Sequence, residues 1–155
     1  MEVLIILGSK SDLEIGNKAL STLEKLGIGA KLTIASAHRT PDVVIDLVGK
    51  SSAKVFIAIA GLSAALPGFV AAHTNKPVIG VPVSGKVNLD SILSVTQMPP
   101  GIPVAAVGLD AGENAAVLAA QMLAIGNPSF GRALDAYRRG MRDKVLSDAK
   151  EVGGE

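Results

Sequence analysis

The sequence AKLTIASAHRTPDVVIDLV, residues 30–48, decides the fold that this chain is expected to adopt. Its first part, Ala30–Ala35, is rich in apolar residues and predicts a β-strand, whereas Asp42–Val48 predicts a helix. Between them, Ser36–Pro41 carries a hydroxyl, an imidazole and a guanidinium where the strand passes into the helix. In an open α/β sheet, ligands bind at this edge. The alternative is a polar loop whose threonine and proline merely begin the helix, and the local sequence leaves both interpretations open.

The same strand–loop–helix pattern recurs along the chain and predicts five strands. Short apolar runs, typical of strands buried on both faces of a sheet, lie at residues 3–7, 30–35, 54–60, 77–83 and 103–109. Helices are predicted at residues 13–26, 42–48, 69–74, 115–125 and 129–149, with one more that begins at Asn88 or Asp90 and ends before Pro99. Such alternation predicts an α/β fold in three layers: a doubly wound, parallel, five-stranded sheet with strand order 2-1-3-4-5.

The composition favours one domain with a large apolar content. The 155 residues are 48% hydrophobic and 19% charged, which indicates a buried parallel sheet or helices that cover a second face on neighbouring subunits. The alanine-rich helix at 115–125 would suit such a subunit contact. We expect a single domain over residues 1–155, in which the C-terminal helix at about 129–149 packs on a neighbouring subunit and residues 150–155 form a frayed tail.

Charge and residue usage argue against several classes of function. Fifteen basic and fourteen acidic residues leave a net charge of +1, so no nucleic-acid track is indicated. The chain has no cysteine, which excludes disulfides, thiolate nucleophiles and cysteine-based metal sites. Its two histidines are far apart in sequence and lack the acidic neighbours of a metal site. No bound metal is expected.

One uncharged run, residues 55–72, is long enough to cross a membrane. However, Gly61, Pro67 and Gly68 divide it into strand, loop and helix, so we expect it to be core. The first residues, Met1–Leu4, lead directly into a strand and lack the pattern of a signal peptide. A cytoplasmic protein without membrane contact is expected.

The loop after the first strand, Gly8–Asp12, is suited to holding an anion. Backbone N–H groups at the start of a helix attract negative charge, Ser9 and Ser11 add hydroxyl donors, and Asp12 can accept from a sugar hydroxyl. The alternative is that Ser11 or Asp12 only caps the helix. The sequence GSKSD matches neither a Walker loop nor GxGxxG, so a nucleoside triphosphate is not indicated.

The loop after the third strand, Gly61–Gly68, consists mainly of small residues, so its backbone can approach a ligand or another chain closely. Tight packing of the adjacent helix is the alternative, and the loop alone favours it. In the expected strand order, the loops after strands 1, 2 and 3 lie along one edge of the sheet. Ser9–Asp12, Ser36–Arg39 and Gly61–Gly68 are therefore expected to converge, which favours a binding site.

Five blocks of the sequence resemble those of a known enzyme family. They are GSKSD at 8–12, SAHRTP at 36–41, AG and LPG at 60–61 and 66–68, DS, QMP and GIPV at 90–91, 97–99 and 101–104, and NAA and LAAQ at 114–116 and 118–121. In order and spacing they resemble the small purine-biosynthesis enzymes that form 4-carboxy-5-aminoimidazole ribonucleotide. The resemblance covers the chain from the first strand to the alanine-rich helix.

The resemblance implies one of two activities. One class of the family is N5-carboxyaminoimidazole ribonucleotide mutase, which moves a carboxyl group from the exocyclic nitrogen to ring carbon 4. The other is aminoimidazole ribonucleotide carboxylase, which makes the same product from free carbon dioxide. Either implies flavodoxin-like catalytic subunits in a homo-octamer with active sites at subunit boundaries. The electron-rich aminoimidazole is its own nucleophile, so no cofactor is implied.

The resemblance also implies roles for residues of the first two loops. Ser9, Ser11 and Asp12 would bind the ribose phosphate region of the ribonucleotide, with Asp12 on the ribose hydroxyls. Arg39 would contact the phosphate, a task suited to a bidentate donor. Ser36 would help to position the ligand.

By the same resemblance, His38 would be the proton carrier, since imidazole both gives and takes protons near neutral pH. It would protonate nitrogen as the carbon–nitrogen bond breaks, and later remove the proton from carbon 4. Gly61, Ser63 and Leu66 belong to the loop that would approach the substrate ring and enclose carbon dioxide.

One departure from the family pattern leaves the class open. The mutases usually have GGAAHLPG in the loop that here occupies residues 61–68; Ala65 replaces the histidine, and Ser63 is typical of the carboxylases. By contrast, Gly80–Val83 and Gln97–Pro99 are similar to the mutases. The sequence favours a mutase, with the carboxylase as the alternative.

Two further classes remain as alternatives: a flavodoxin-like module that binds a mononucleotide or flavin without turnover, and a structural subunit of an assembly. The chain has only three phenylalanines, one tyrosine and no tryptophan, which argues against a stacked flavin. A structural role would leave His38 and Arg39 without a shared purpose. His73, near the end of the short helix, is expected at the surface or as a helix cap.

Overall fold

A computed structural model describes residues 1–153 of the chain. The strands are β1 Val3–Leu7, β2 Ala30–Ile34, β3 Val55–Ala60, β4 Val78–Pro82 and β5 Ala105–Ala106. The helices are α1 Leu13–Lys25, α2 Pro41–Lys50, α3 Leu66–Ala71, α4 Asn88–Thr96, α5 Gly112–Ala124 and α6 Pro128–Gly153, and a 3-10 turn at Lys10–Asp12 precedes α1.

The five strands form one parallel sheet in the order β2-β1-β3-β4-β5, which confirms the predicted α/β fold. The register aligns Leu7 of β1 with Ile34 of β2 and with Ile59 of β3, so these strands end at the same level. Gly8 N donates to Ile59 O and Ala35 N donates to Leu7 O, each at 2.9 Å. The loops that follow the three strands therefore leave the sheet side by side.

Alternate residues of the strands supply two separate cores. In β1, Val3, Ile5 and Leu7 belong to the core shared with α1, α5 and α6. Leu4 and Ile6 belong to the core on the other face, shared with α2, α3 and α4. Because successive side chains of a strand point to opposite faces, a sheet that is apolar throughout must be covered on both sides. This requirement produces the three layers.

The uncharged run at residues 55–72 is mostly interior, as expected. Phe56 and Ile57 of β3 and Val70 of α3 have no exposed surface. No helix within residues 1–153 combines the length and the apolar character that crossing a membrane would require.

The alanine-rich helix α5 packs against the core of its own chain, so a contact within the subunit accounts for its small residues. Four of its alanines have no exposed surface and belong to the core shared with α1: Ala115, Ala116, Ala119 and Ala120. At the start of α5, a methyl group on Gly112 would collide with the Ile15 carbonyl oxygen. The small residues thus serve the close approach of α5 to α1.

β5 and α3 differ from their predicted bounds. β5 comprises two residues instead of 103–109, because it lies at the edge of the sheet and Pro103 has no N–H to donate. α3 begins at Leu66, three residues earlier than predicted, because Pro67 is favourable in the first turn of a helix. The predicted loop Gly61–Gly68 therefore ends at Ala65.

The C-terminal helix α6 is longer than predicted. It continues past Ala149 to Gly153, because Lys150 and Glu151 are good helix formers and glycine is the first weak one. Most of the expected frayed tail is thus helical, and residues 154 and 155 lie outside the described residues.

Candidate active site

The loops after β1, β2 and β3 line a cleft of about 350 Å³ at the carboxyl edge of the sheet. All the residues that the sequence analysis proposed for the site line it: Ser9, Ser11, Asp12, Ser36, His38, Arg39, Gly61, Ser63 and Leu66. The topology explains this convergence, because β1 lies between β2 and β3 and the connections wind away from it in both directions.

Serines and an aspartate are linked in the loop after β1. Ser9 Oγ accepts from Ser11 N at 3.3 Å and lies 3.0 Å from Ser11 Oγ, which donates to Asp12 Oδ1 at 2.9 Å. Asp12 precedes α1 without a side-chain capping bond, so helix capping does not account for it. A carboxylate that lines a cleft and has spare acceptor positions can bind ligand hydroxyls.

Asp12 is the buried residue among the polar side chains that line the cleft, with 5% of its surface exposed. Burial raises the pKa of its carboxyl above the ordinary value, and hydrogen bonds to the Ser11 side chain and the Ser9 backbone lower it in part. Removing a carboxylate from water disfavours the charged form. A ligand that donates hydroxyl hydrogens to Asp12 would compensate this cost.

Arg39 is held in the cleft from two sides. Its Nη2 donates to Gly8 O at 3.1 Å, and its Nε lies 3.4 Å from Ser36 Oγ. Ser36 Oγ also accepts from Arg39 N at 3.2 Å. The guanidinium therefore joins the loops after β1 and β2 and supplies a positioned cation, which suits a phosphate.

His38 lies at the exposed tip of the turn Ser36–Thr40. This turn is closed by Thr40 N, which donates to Ser36 O, and by Ser36 N, which donates to Thr40 Oγ1, both at 3.0 Å. Thr40 therefore uses its hydroxyl inside the turn and not as a side-chain cap of α2. No residue of 1–153 forms a hydrogen bond with the His38 imidazole within the cleft, so both ring nitrogens can exchange protons with a ligand.

The loop Gly61–Ala65 forms the wall that faces these residues. Ser63 has a φ of 55°, a left-handed conformation that is unfavourable for residues other than glycine. Its N–H donates to Asp90 Oδ2 at 2.8 Å, and its carbonyl accepts from Ala65 N. The sequence analysis noted Asp90 as a possible start of α4 and as part of one of the family blocks, but no local pattern relates it to a loop 27 residues earlier.

Two larger hollows, of about 770 and 520 Å³, lie away from this edge. The larger one contains His73 and Lys76, but both have structural partners: His73 Nδ1 lies 2.7 Å from Phe69 O, and Lys76 Nζ donates to Ser51 O at 2.9 Å. His73 is thus exposed and bound to a carbonyl of α3, as expected. Among residues 1–153, no three His, Asp or Glu side chains are grouped as metal ligands would be.

Comparisons with known proteins find relatives that match nearly the whole chain. The family model described as AIR carboxylase matches residues 2–144. The chain is 52% identical over 151 residues to N5-carboxyaminoimidazole ribonucleotide mutase of Methanocaldococcus jannaschii, covering 97% of this chain and 96% of that one. It is 42% identical over 153 residues to phosphoribosylaminoimidazole carboxylase of Schizosaccharomyces pombe, covering 96% of this chain and 28% of that one.

Solved structures show the same architecture. The crystal structure of Treponema denticola PurE superposes with a TM-score of 0.87 and 31% identity, and the match covers 96% of each chain. A match of this extent in fold, together with the family model over nearly the whole chain, identifies the family. This chain belongs to the AIR carboxylase family.

Proposed function

We propose that this chain is an N5-carboxyaminoimidazole ribonucleotide mutase of purine biosynthesis. The observation that carries the proposal is the single cleft in which an unpartnered imidazole, an anchored guanidinium and a buried carboxylate meet. These groups match the three parts of the substrate: a ring that must exchange protons, a phosphate and a ribose. The 52% identity to a mutase, over 97% of this chain and 96% of that one, supports the same activity.

The proposed binding mode follows from the charges of the cleft. Arg39 binds the phosphate together with the hydroxyls of Ser9 and Ser11, and Asp12 accepts from the ribose hydroxyls. Ser36 keeps the guanidinium in place through the contact between its Oγ and Arg39 Nε. This arrangement orients the aminoimidazole ring toward the opposite wall of the cleft.

His38 acts as general acid and then as general base. When the bond from the exocyclic nitrogen to the carboxyl carbon breaks, its electron pair stays on nitrogen, which takes a proton from His38, and carbon dioxide is released. Carbon 4 then attacks carbon dioxide, forming a carbon–carbon bond and a ring cation. His38 removes the proton from carbon 4, which restores the aromatic ring and returns His38 to its starting state.

Carbon dioxide must stay in the cleft between these two steps. Gly61, Ser63 and Leu66 line the wall opposite His38's loop, and Leu66 is buried. The small residues Gly61, Ser63, Ala64 and Ala65 let the backbone approach the ring. A closed wall keeps the released carbon dioxide next to carbon 4 and excludes water.

The second candidate function is aminoimidazole ribonucleotide carboxylase, which uses free carbon dioxide. The observation that favours it is the loop itself, in which Ala65 leaves no histidine opposite His38 and Ser63 is exposed. The Schizosaccharomyces pombe relative carries the name of this activity. Both functions use the same cleft and the same proton carrier.

The proposal also includes the domain organisation, oligomeric state, location and partners of the enzyme. We infer one catalytic domain, a homo-octamer in which α6 packs on a neighbouring subunit, and action in the cytoplasm on a free ribonucleotide, without nucleic acid or membrane partners. The exposed apolar side chains of the second half of α6 support the subunit contact, since Met141 is 56% exposed and Val145 is 66% exposed.

One assay tests the proposed function. The wild-type protein and His38→Asn receive N5-carboxyaminoimidazole ribonucleotide in one reaction and aminoimidazole ribonucleotide with bicarbonate in a matched one, and 4-carboxy product is measured. We expect efficient turnover of the first substrate only, and loss of roughly 10²-fold or more in the variant, the usual contribution of a general acid–base. His38→Asn should fold normally because the side chain is exposed.

Three results would contradict the proposal. Efficient product from aminoimidazole ribonucleotide at modest bicarbonate would favour the carboxylase. Saturable binding without turnover of either substrate would favour a binding module. More than about a tenth of the activity in His38→Asn would remove the role of His38, since a proton carrier contributes far more. His73→Asn, which changes the other exposed histidine, is the matched control and should retain full activity.

A further inference from the structure

The conformation of the cleft wall Gly61–Ala65 needs support from outside the loop. Ser63, with its φ of 55°, occupies a left-handed region that is unfavourable for a non-glycine residue. Ser63 is exposed and Leu62 has 76% of its surface exposed, so burial does little to hold this part of the loop. Such a conformation persists only when surrounding contacts determine it.

Asp90 supplies that support. Its Oδ2 accepts from Ser63 N at 2.8 Å, a charge-assisted hydrogen bond of the stronger kind. Asp90 lies in the first turn of α4, where the helix dipole favours a carboxylate. The carboxylate is therefore stabilised where it stands and can hold the loop.

The helix that carries Asp90 is itself fixed in the core. Ser91 is 1% exposed and its hydroxyl donates to Asn88 O at 3.0 Å, while Val95 has no exposed surface. Beyond the helix, Met98 lies against Gly68 of α3, with Sδ and Cε each 3.3 Å from the position of an added Cβ. The segment from Asp90 to Met98 thus supports the loop at Ser63 and the helix that follows it.

We infer that Asp90 is a positioning residue that keeps the Gly61–Ala65 wall closed and thereby retains carbon dioxide between the two chemical steps. This inference rests on the proposed mutase function. Asp90 does not line the cleft, so it acts through Ser63 and not on the substrate. Its loss should open the wall without removing His38, Arg39 or Asp12, and released carbon dioxide should then escape before carbon 4 attacks it.

The chain offers a matched control in Asp110. Like Ser63, Asp110 has a positive φ, here 58°. Its Oδ1 accepts from Ser84 N at 2.8 Å, so it holds the loop after β4 as Asp90 holds the loop after β3. Because that loop does not line the cleft, Asp110→Ala should lower stability without changing the fate of carbon dioxide.

The test measures how N5-carboxyaminoimidazole ribonucleotide is partitioned, in carbon-dioxide-free buffer, between 4-carboxy product and released aminoimidazole ribonucleotide. We expect Asp90→Ala to raise the released fraction roughly tenfold, in line with the loss of a hydrogen bond to a charged group. Asp90→Asn retains an acceptor oxygen and should stay within about twofold of wild type. Hydrogen exchange should also increase at residues 62–65 in Asp90→Ala.

Several outcomes would overturn the inference. They are an unchanged partition ratio in Asp90→Ala well below its melting temperature, an equal rise in Asp110→Ala, or no rescue by Asp90→Asn. If Asp90→Ala does not fold, Asp90→Ser, whose hydroxyl is too short to reach Ser63 N, takes its place. Absence of product with wild-type protein would instead overturn the proposed function, and the inference with it.

Discussion

At the scale of single residues, the site combines side chains that are fixed by hydrogen bonds with an imidazole that is not. Arg39 is bound to Gly8 O and Ser36 Oγ, whereas His38 has no partner within the described chain. A cation that is anchored before the ligand arrives loses little freedom on binding a phosphate. A proton carrier, by contrast, needs at least one ring nitrogen available to the substrate.

Asp12 shows how a buried polar group in such a site affects the stability of the folded protein. Because burial raises the pKa of its carboxyl, the native state binds this proton more tightly than the unfolded chain does. The resulting contribution to stability is fully present below the ordinary pKa of 3.8 and is lost as the pH rises through the raised value. At neutral pH the ionised carboxylate is therefore a destabilising group, which fits its proposed role in binding the ribose.

We predict that Asp12→Asn increases the free energy of unfolding, relative to wild type, more at neutral pH than near pH 3. The amide keeps the acceptor for Ser11 Oγ and has no charge to desolvate. Urea denaturation of both proteins at the two pH values measures the difference. The same variant should bind the ribonucleotide more weakly. A stability difference that is independent of pH, or larger in acid, would contradict the prediction.

At the scale of secondary-structure elements, small residues set how closely two helices of one layer approach. The contact between α1 and α5 begins where Gly112 lies against the Ile15 carbonyl, and continues through alanines without exposed surface. A backbone carbonyl cannot move aside as a flexible side chain can. The spacing of the two helices is therefore determined by the absence of a side chain at one position.

We predict that Gly112→Ala lowers the free energy of unfolding by about 1–3 kcal/mol, the usual cost of overpacking a core. Gly49→Ala is the control, because Gly49 lies in α2 with no atom within 4 Å of an added Cβ. There, alanine should stabilise the helix by about 0.5–1 kcal/mol. Urea or thermal denaturation compares the two. Equal effects of the same sign would show that helix propensity alone decides both.

At the scale of the whole molecule, α6 extends beyond the body of the chain. Its first half packs on the core through Leu134, which is 7% exposed, with Phe130 and Tyr137 partly buried beside it. The same apolar stripe continues at Met141 and Val145, four residues apart, but there it is exposed. One face of this helix thus packs on the core over half its length, and over the rest it has no partner among residues 1–153.

We predict that the wild-type protein sediments as a homo-octamer, close to eight times its chain mass of 15.7 kDa. The double variant Met141→Glu with Val145→Glu should dissociate, since charges would replace the apolar stripe at the subunit contact. Arg139→Glu changes charge about 200° around the helix from Met141 and should leave the assembly intact. A monomeric wild type, or an octameric double variant, would contradict the predicted contact.

Features that depend on consecutive residues could be predicted from the sequence, whereas features that depend on distant residues could not. The apolar runs at residues 3–7 and 55–60 predicted buried strands, because a strand that is buried on both faces of a sheet has apolar residues at consecutive positions. The turn at 36–41 was recognisable because strand, polar loop and helix follow one another directly. The edge strand β5 was overestimated, because an apolar run does not reveal how many of its N–H groups find a partner.

The sequence by itself determined the alternation of strands and helices, and therefore the sheet order and the edge at which the polar loops meet. Only the tertiary structure decided which distant groups touch: Asp90 with Ser63, Arg39 with Gly8 O, and Gly112 with Ile15. The physical reason is the separation of the contacting residues along the chain. Periodicity reports neighbours along the chain, whereas these contacts join residues that only strand register and helix packing bring within reach. The turn around His38 was therefore predictable from its own residues, but the wall that closes over it was not.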